Sequence, residues 1–228
     1  MSNSSPSGAA PLRLAVLISG SGTNLQAIID AIAIGDLDAE IRVVISNQAA
    51  AQGLERARNA GLTTHLIEHR KFPTREDFDR AMLAVLQPLS IELVACAGFM
   101  RLVSPVLLDA YPGRVMNIHP SLLPAFPGTH AQRDALEHGV RVAGCTVFFV
   151  TPGVDDGPII AQAAVPVLPG DDEARLSERI LAEEHRIYPM AIRLFQQGRL
   201  AISGRKVLIR DYAGPELGAG SIINPRAG

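Results

Sequence analysis

Continuous apolar runs alternate with amphipathic stretches along most of this chain, and the alternation predicts its elements in order. Leu12 to Ile18 is apolar apart from Arg13, as expected of a strand covered on both faces of a parallel sheet. Leu25, Ile28, Ile29 and Ile32 then recur at i, i+3, i+4 and i+7, one face of a helix that closes near Gly35. Ile41 to Ile45 is a second strand; a helix from about Ala50 to Ala60 stops at Gly61, and a short strand runs from Thr64 to Ile67. Thr74 can cap a third helix with Phe78, Met82, Val85, Leu86 and Leu89 on one face, before a fourth strand from Leu93 to Ala97. Ser104-Pro105 opens a short helix to Ala110, and Arg114 to Ile118 is again a strand. A helix over about His130 to Gly139 precedes extended segments at Cys145 to Val150 and Ile159 to Val167. The last long helix runs from about Asp171 to Gln197, with Leu176, Ile180, Ile187, Ala191 and Leu194 inward and a kink expected at Pro189. Leu200 to Ile209 reads as a small hairpin around Ser203-Gly204.

This order predicts an α/β protein: a doubly wound, mostly parallel sheet with right-handed crossovers and a Rossmann-like N-terminal half. One domain is expected over residues 12–228, after a disordered tail over residues 1–11. The chain has 228 residues and 47% hydrophobic content, enough for one large core. Its formal net charge is -2, and no Lys/Arg cluster exceeds a pair. That argues against nucleic acid or a membrane surface as partner, while leaving a small anion open to a helix N-terminus. No apolar run approaches the length of a membrane span, and Met1 to Ala10 lacks the regions of a signal peptide, so a cytoplasmic place is expected. Cys96 and Cys145 sit inside apolar runs without C-x-x-C spacing and read as buried spectators.

Candidate chemistry lies between these elements. Ser19-Gly20-Ser21-Gly22-Thr23-Asn24 joins a strand to a helix, so its backbone N–H groups and the helix dipole suit a phosphate. Leu25 replaces the third glycine of the dinucleotide fingerprint, and Ser46-Asn47-Gln48 follows the second strand where an acid would stand, so a single phosphate monoester fits better. Gly98-Phe99-Met100-Arg101-Leu102 leaves the fourth strand; Phe99 and Met100 either clamp a flat heterocycle or belong to the core. Asn117 and His119 leave one face of an extended chain, ahead of a loop stiffened by Pro120, Pro124 and Pro127. Thr151 to Pro158 is an irregular loop carrying Asp155 and Asp156. Glu184 falls on the apolar face of the last helix, where it needs a core arginine or a ligand amine or hydroxyl. The histidine-rich metal motifs and the G-x-S-x-G turn are absent, so no metal is expected. What remains is acyl or one-carbon transfer to an external nucleophile, with an amide and an imidazolium meeting the oxyanion and a carboxylate orienting the imidazole.

Several of these segments recur together in one known group: Ile18 to Leu25, Ser46-Asn47, Gly53 to Ala57, Ala97 to Arg101, Asn117 to Pro124, Asp155 to Ile159, and Glu184-His185 with Tyr188-Pro189. With them the chain resembles the formyl-folate transferases from about Leu12 to Leu200, and among these the phosphoribosylglycinamide formyltransferase family. The His-Pro-Ser-Leu-Leu-Pro core is shared with methionyl-tRNA formyltransferase and formyltetrahydrofolate deformylase, whereas the turn ending in Thr23-Asn24-Leu25 is closer to the ribonucleotide enzymes. The resemblance implies 10-formyltetrahydrofolate as cosubstrate and glycinamide ribonucleotide as acceptor, with Asn117, His119 and Asp155 catalytic. It implies that Gly20, Ser21, Gly22, Thr23, Asn24 and Glu184 hold the ribonucleotide. It implies folate contacts at Phe99, Met100, Arg101, Leu102, Val154 and Asp156, with Arg75 meeting the folate glutamate. Residues 12–110 would then form a phosphate-binding half and residues 111–210 a catalytic and folate-binding half, in a monomer or homodimer. Where the family often has two glycines after the loop's first aspartate, this chain has Asp156-Gly157. A deformylase that gives the formyl group to water is the second reading, and a nucleotide-binding module without catalysis the third. The deformylase's extra N-terminal domain and the tRNA enzyme's extra C-terminal domain are not expected in a chain of this length.

Overall fold

The computed structural model describes residues 10–212 and the backbone of a strand at 222–224. All but the last two residues of the expected N-terminal tail lie outside the described residues. The elements run β1 (Leu12–Ile18), α1 (Thr23–Ala33), β2 (Ala39–Ser46), α2 (Gln52–Asn59), β3 (Thr64–Leu66), α3 (Arg75–Leu86), β4 (Leu93–Cys96) and α4 (Pro105–Ala110). They continue as β5 (Val115–His119), α5 (Ala131–Glu137), β6 (Val142–Phe149), β7 (Ile159–Pro166), α6 (Glu173–Gln196), β8 (Leu200–Ser203), β9 (Lys206–Ile209) and β10 (Ile222–Asn224). Short 3-10 turns at His69–Lys71 and Gln87–Leu89 flank α3.

One sheet carries the strands in the order β3-β2-β1-β4-β5-β6-β7-β9-β8, with β10 paired to β7. From β3 to β5 every pairing is parallel, as the strand and helix alternation requires. The sheet then turns antiparallel at β5–β6 and β6–β7. Only the loop 150–158 separates β6 from β7, too short for a crossover helix, so that connection has to be a hairpin. The last two predicted strands do form a hairpin, β8–β9, whose second strand extends the sheet at Ile159↔Lys206.

Alternation along β1 shows why the sheet is covered twice. Leu14, Val16 and Ile18 join a core built with α1, α2 and α6, while Ala15 and Leu17 join one built with α3 and α4. Thr74 caps α3 as its sequence foretells, its Oγ1 accepting from the Asp77 N–H. Pro189 lies inside α6, which continues through it to Gln196. The preceding Tyr188 is fully buried; its hydroxyl donates toward the Cys96 and Met116 carbonyls at 2.9 and 3.0 Å, tying the helix to β4 and β5. No helix of the described residues is long and apolar enough to cross a membrane.

Candidate active site

The register of three adjacent strands places Cys96, Asn117 and Phe148 abreast. These residues floor a cleft of about 270 Å3. His119 lies two positions along β5, so its side chain leaves by the same face as Asn117 and lines the same cleft. The walls come from Gly98 to Val103, from Pro120, Gly128, Thr129 and Gln132, and from the loop bearing Thr151, Val154 and Asp155. Burial pushes the Cys96 thiol up to about 12, which keeps it protonated and inert.

His119 is 5% exposed, and its Nε2 lies 2.9 Å from the Phe126 carbonyl. A carbonyl can only accept, so Nε2 carries a hydrogen and the ring orientation is set. The other nitrogen, Nδ1, lies 3.5 Å from Asp155 Oδ2, an ion-pair separation rather than a good hydrogen bond. That same Oδ2 accepts the Gly128 N–H at 2.9 Å. Asp155 has φ +49°, a left-handed conformation that aspartate tolerates at a cost of roughly 1–2 kcal/mol, and it faces its carboxylate to the loop after His119.

Three polar side chains, two beneath that loop and one within it, fix its backbone. Thr146 Oγ1 accepts the Leu123 N–H at 3.0 Å and donates to the Ser121 carbonyl at 2.7 Å. Gln162 Nε2 donates to the Leu123 carbonyl at 2.9 Å and to Thr146 Oγ1 at 3.0 Å, while Ser121 Oγ donates to the Ala125 carbonyl at 2.6 Å. The Leu123-Pro124 peptide is cis. The stiffness that the prolines foretell is therefore completed by side chains from β6 and β7.

The glycine turn lies apart from this cleft. Gly22 is left-handed, with φ +73°, and a Cβ there would stand 2.4 Å from the Gly53 Cα, so turn and α2 meet backbone to backbone. Arg56 Nε donates to the Ser21 carbonyl at 2.9 Å, and Thr23 lines a groove of about 520 Å3 with Gln26, Arg56 and His185. Within the protein Glu184 meets an amide, not the core arginine. Asn24 Nδ2 donates to Glu184 Oε2 at 2.7 Å, while Asn24 Oδ1 is buried with no hydrogen-bond partner among the described residues. Burial drives the Glu184 carboxyl up to about 7, against the opposing pull of the Asn24 amide.

Asn117, His119, Asp155, Phe99, Met100, Arg101, Leu102 and Val154 thus share one cleft. Phe99 belongs to the core, buried and stacked on Phe78, whereas Met100 is 68% exposed at the rim of the cleft. Gly20 to Asn24 and Glu184 do not line the cleft, and neither do Arg75, exposed at the start of α3, and Asp156. The Asp156 carboxylate accepts from Thr151 Oγ1 within its own loop, in space that a Cβ on Gly153 would fill. Gly157 has no such freedom, since a Cβ would lie 1.7 Å from the Phe149 carbonyl oxygen. Gln132 and Arg56 escaped the sequence reading. A polar residue on a helix is ordinarily solvated, and only the tertiary structure turns Gln132 to the cleft and lays Arg56 on the turn.

The parallel half-sheet, the glycine turn and an amide, imidazole and carboxylate in one cleft define a class. Residues 12–192 match the formyl transferase family, and the chain belongs to it. Its likenesses are narrower than that family. The chain is 44% identical to the phosphoribosylglycinamide formyltransferase of Escherichia coli (strain K12), over 90% of this chain and 100% of that protein. The glycinamide ribonucleotide transformylase 1 of Symbiobacterium toebii superposes with a TM-score of 0.87 at 60% identity, covering 88% of this chain and 95% of that one. The trifunctional purine biosynthetic protein adenosine-3 of Drosophila pseudoobscura pseudoobscura is 51% identical over 82% of this chain, which spans 14% of that longer protein.

Proposed function

We propose that this chain transfers the formyl group of 10-formyltetrahydrofolate to the amine of glycinamide ribonucleotide, giving formylglycinamide ribonucleotide and tetrahydrofolate in purine biosynthesis. The observation that carries the reading is the single cleft gathering Asn117, His119 and Asp155 in a member of the formyl transferase family. The cosubstrate's flat ring enters beside Met100, Arg101, Leu102 and Val154, and the ribonucleotide phosphate rests on the Gly20 to Asn24 turn. Arg75 meets the folate glutamate from outside the cleft. Asp156, whose carboxylate accepts from Thr151, meets the folate from the same loop.

The acceptor resembles an α-amino group, with a reference pKa near 8, so a useful fraction is neutral at cytoplasmic pH without a strong base. Its nitrogen attacks the formyl carbon, and the carbonyl π pair moves to oxygen. Asn117 Nδ2 and the His119 Nδ1–H stabilise that oxyanion, with the ring held by Phe126 through Nε2. Asp155 balances the imidazolium and holds a water that carries the amine proton to the folate nitrogen as the carbon–nitrogen bond to folate breaks. We place the reaction in the cytoplasm, with small molecules as partners and the chain acting as a monomer or homodimer.

The test is tetrahydrofolate formation from 10-formyltetrahydrofolate with and without glycinamide ribonucleotide. Strict dependence on the ribonucleotide is expected. Equal turnover in water would make the chain a deformylase, and silence in both would leave a binding module.

A further inference from the structure

Ser19 is the last residue before the glycine turn, and it holds the folate side of the site with both backbone and side chain. Its N–H donates to the Gly98 carbonyl at 3.1 Å, and its Oγ accepts the Met100 N–H at 2.8 Å. The Ser19 hydroxyl then donates to Asn47 Oδ1 at 2.7 Å. Asn47, 2% exposed at the end of β2, passes the chain on: its Nδ2 lies 3.1 Å from His69 Nδ1, in the 3-10 turn before α3. An amide nitrogen only donates, so His69 Nδ1 accepts from it in this arrangement; the same ring nitrogen lies 3.4 Å from the Asn47 backbone carbonyl, a longer contact that only the other tautomer uses.

A second route returns from His69 to the same loop. The His69 ring meets Phe78 edge-on at 6.3 Å between centroids, and Phe78 stacks on Phe99 at 6.4 Å with 14° between the planes. Polar relay and aromatic stack therefore close a ring, His69 to Asn47 to Ser19 to the Gly98–Met100 segment to Phe78 and back. An open chain of contacts can shear at any link, whereas a closed one resists displacement of each member.

Resting on the functional reading above, we infer that Asn47 and His69 are positioning residues that act through Ser19 to hold the ribonucleotide turn and the folate loop in fixed register. Neither lines the cleft or the groove beside the turn. Their effect on the reaction is the alignment of two loops that each touch a different substrate. Each substrate binds against one of these loops, so loosening the ring that holds both weakens the binding of both, with a smaller loss from their poorer mutual alignment.

The consequence is a paired kinetic signature. Ser19→Ala and Asn47→Ala should each raise KM for both substrates about fivefold, the scale of one net hydrogen bond, with a smaller fall in kcat. Because the two residues act as one chain, the double variant should match the worse single variant instead of multiplying to about 25-fold. Ser19→Thr keeps the hydroxyl and should stay near wild type. Met100→Ala, which removes only a folate contact, should raise the folate KM alone.

The experiment is steady-state kinetics of these variants with both substrates, alongside melting curves, and with His69→Ala as a half-exposed variant in case the buried Asn47→Ala does not fold. His69→Ala is expected to raise both constants by a smaller factor. A rise confined to one substrate, multiplicative losses in the double variant, an alanine-like Ser19→Thr, or wild-type kinetics in Ser19→Ala or His69→Ala would each overturn the inference. Absence of any ribonucleotide-dependent transfer by the wild-type chain would overturn the functional reading instead, and this inference with it.

Discussion

Glu184→Gln separates the cost of a buried carboxylate from its use. In the ligand-free protein the Glu184 carboxyl is 6% exposed, its Oε2 accepts from Asn24, and burial raises its pKa from 4.5 to about 7. A raised acid favours folding in its protonated form. Its contribution is fully present below about 4.5 and is lost as pH rises through about 7. Each pKa unit is worth about 1.4 kcal/mol, so the wild type at pH 8 forgoes about 3 kcal/mol that it holds near pH 4. Glutamine keeps an oxygen for the Asn24 amide and does not titrate. The variant at pH 8 should therefore be more stable by up to about 3 kcal/mol, or ~6–12 °C in melting temperature for a chain of this size. Urea and thermal unfolding of both proteins at pH 4.5, 6 and 8, without ligand, measure this directly. The gap should open as pH rises, while KM for the ribonucleotide worsens. Parallel pH profiles, or a variant no more stable at pH 8, would refute the reasoning, because burial of a titrating carboxyl would then carry no energetic weight there.

The remaining expectations concern the cleft and its supports. Asn117→Ala should lower kcat by about 10²–10³, the scale for one oxyanion donor, and near wild-type turnover would remove Asn117 from that role. Asp155→Asn should depress kcat far more than substrate binding, and a loss seen only in KM would contradict its place in proton transfer. Gly22→Ala would drive a Cβ to 2.4 Å from the Gly53 backbone, so ribonucleotide KM should rise tenfold or more on the order of a displaced turn, measurable by titration calorimetry as weakened binding. Thr146→Val leaves the Leu123 N–H and the Ser121 carbonyl without their partner, and should cost about 2–4 kcal/mol in denaturant unfolding together with a lower kcat.

Much of this molecule could be read from short stretches. The doubly covered β1, the turn and amphipathic α1, the Thr74 cap, the inward face of α6 with Glu184 on it, and the shared face of Asn117 and His119 all follow from periods of 2 and 3.6 residues and from local capping. Such patterns involve residues a few positions apart, and backbone sterics enforce them wherever the chain goes. Resemblance to a family suggested roles that periodicity could not, and pointed to Asp155 as the candidate catalytic carboxylate of a loop holding two.

Other features needed the whole sheet. The antiparallel turn at β6 and β7 depends on a loop too short for a crossover, and the pairing of β10 with β7 was not foreseen. Asn24 meets Glu184 across 160 positions, Ser19 meets Met100 across 81, and Gln162 reaches Leu123 across 39. Asp156 meets Thr151 in space that the missing Cβ of Gly153 leaves for its carboxylate. The sequence by itself determined which segments become strands and helices and which face each buries, because those choices are settled by local geometry and the need to remove apolar surface from water. Tertiary structure alone decided which distant polar groups meet. Strand order brings distant residues within hydrogen-bond reach, and a buried donor or acceptor takes whichever partner that order provides.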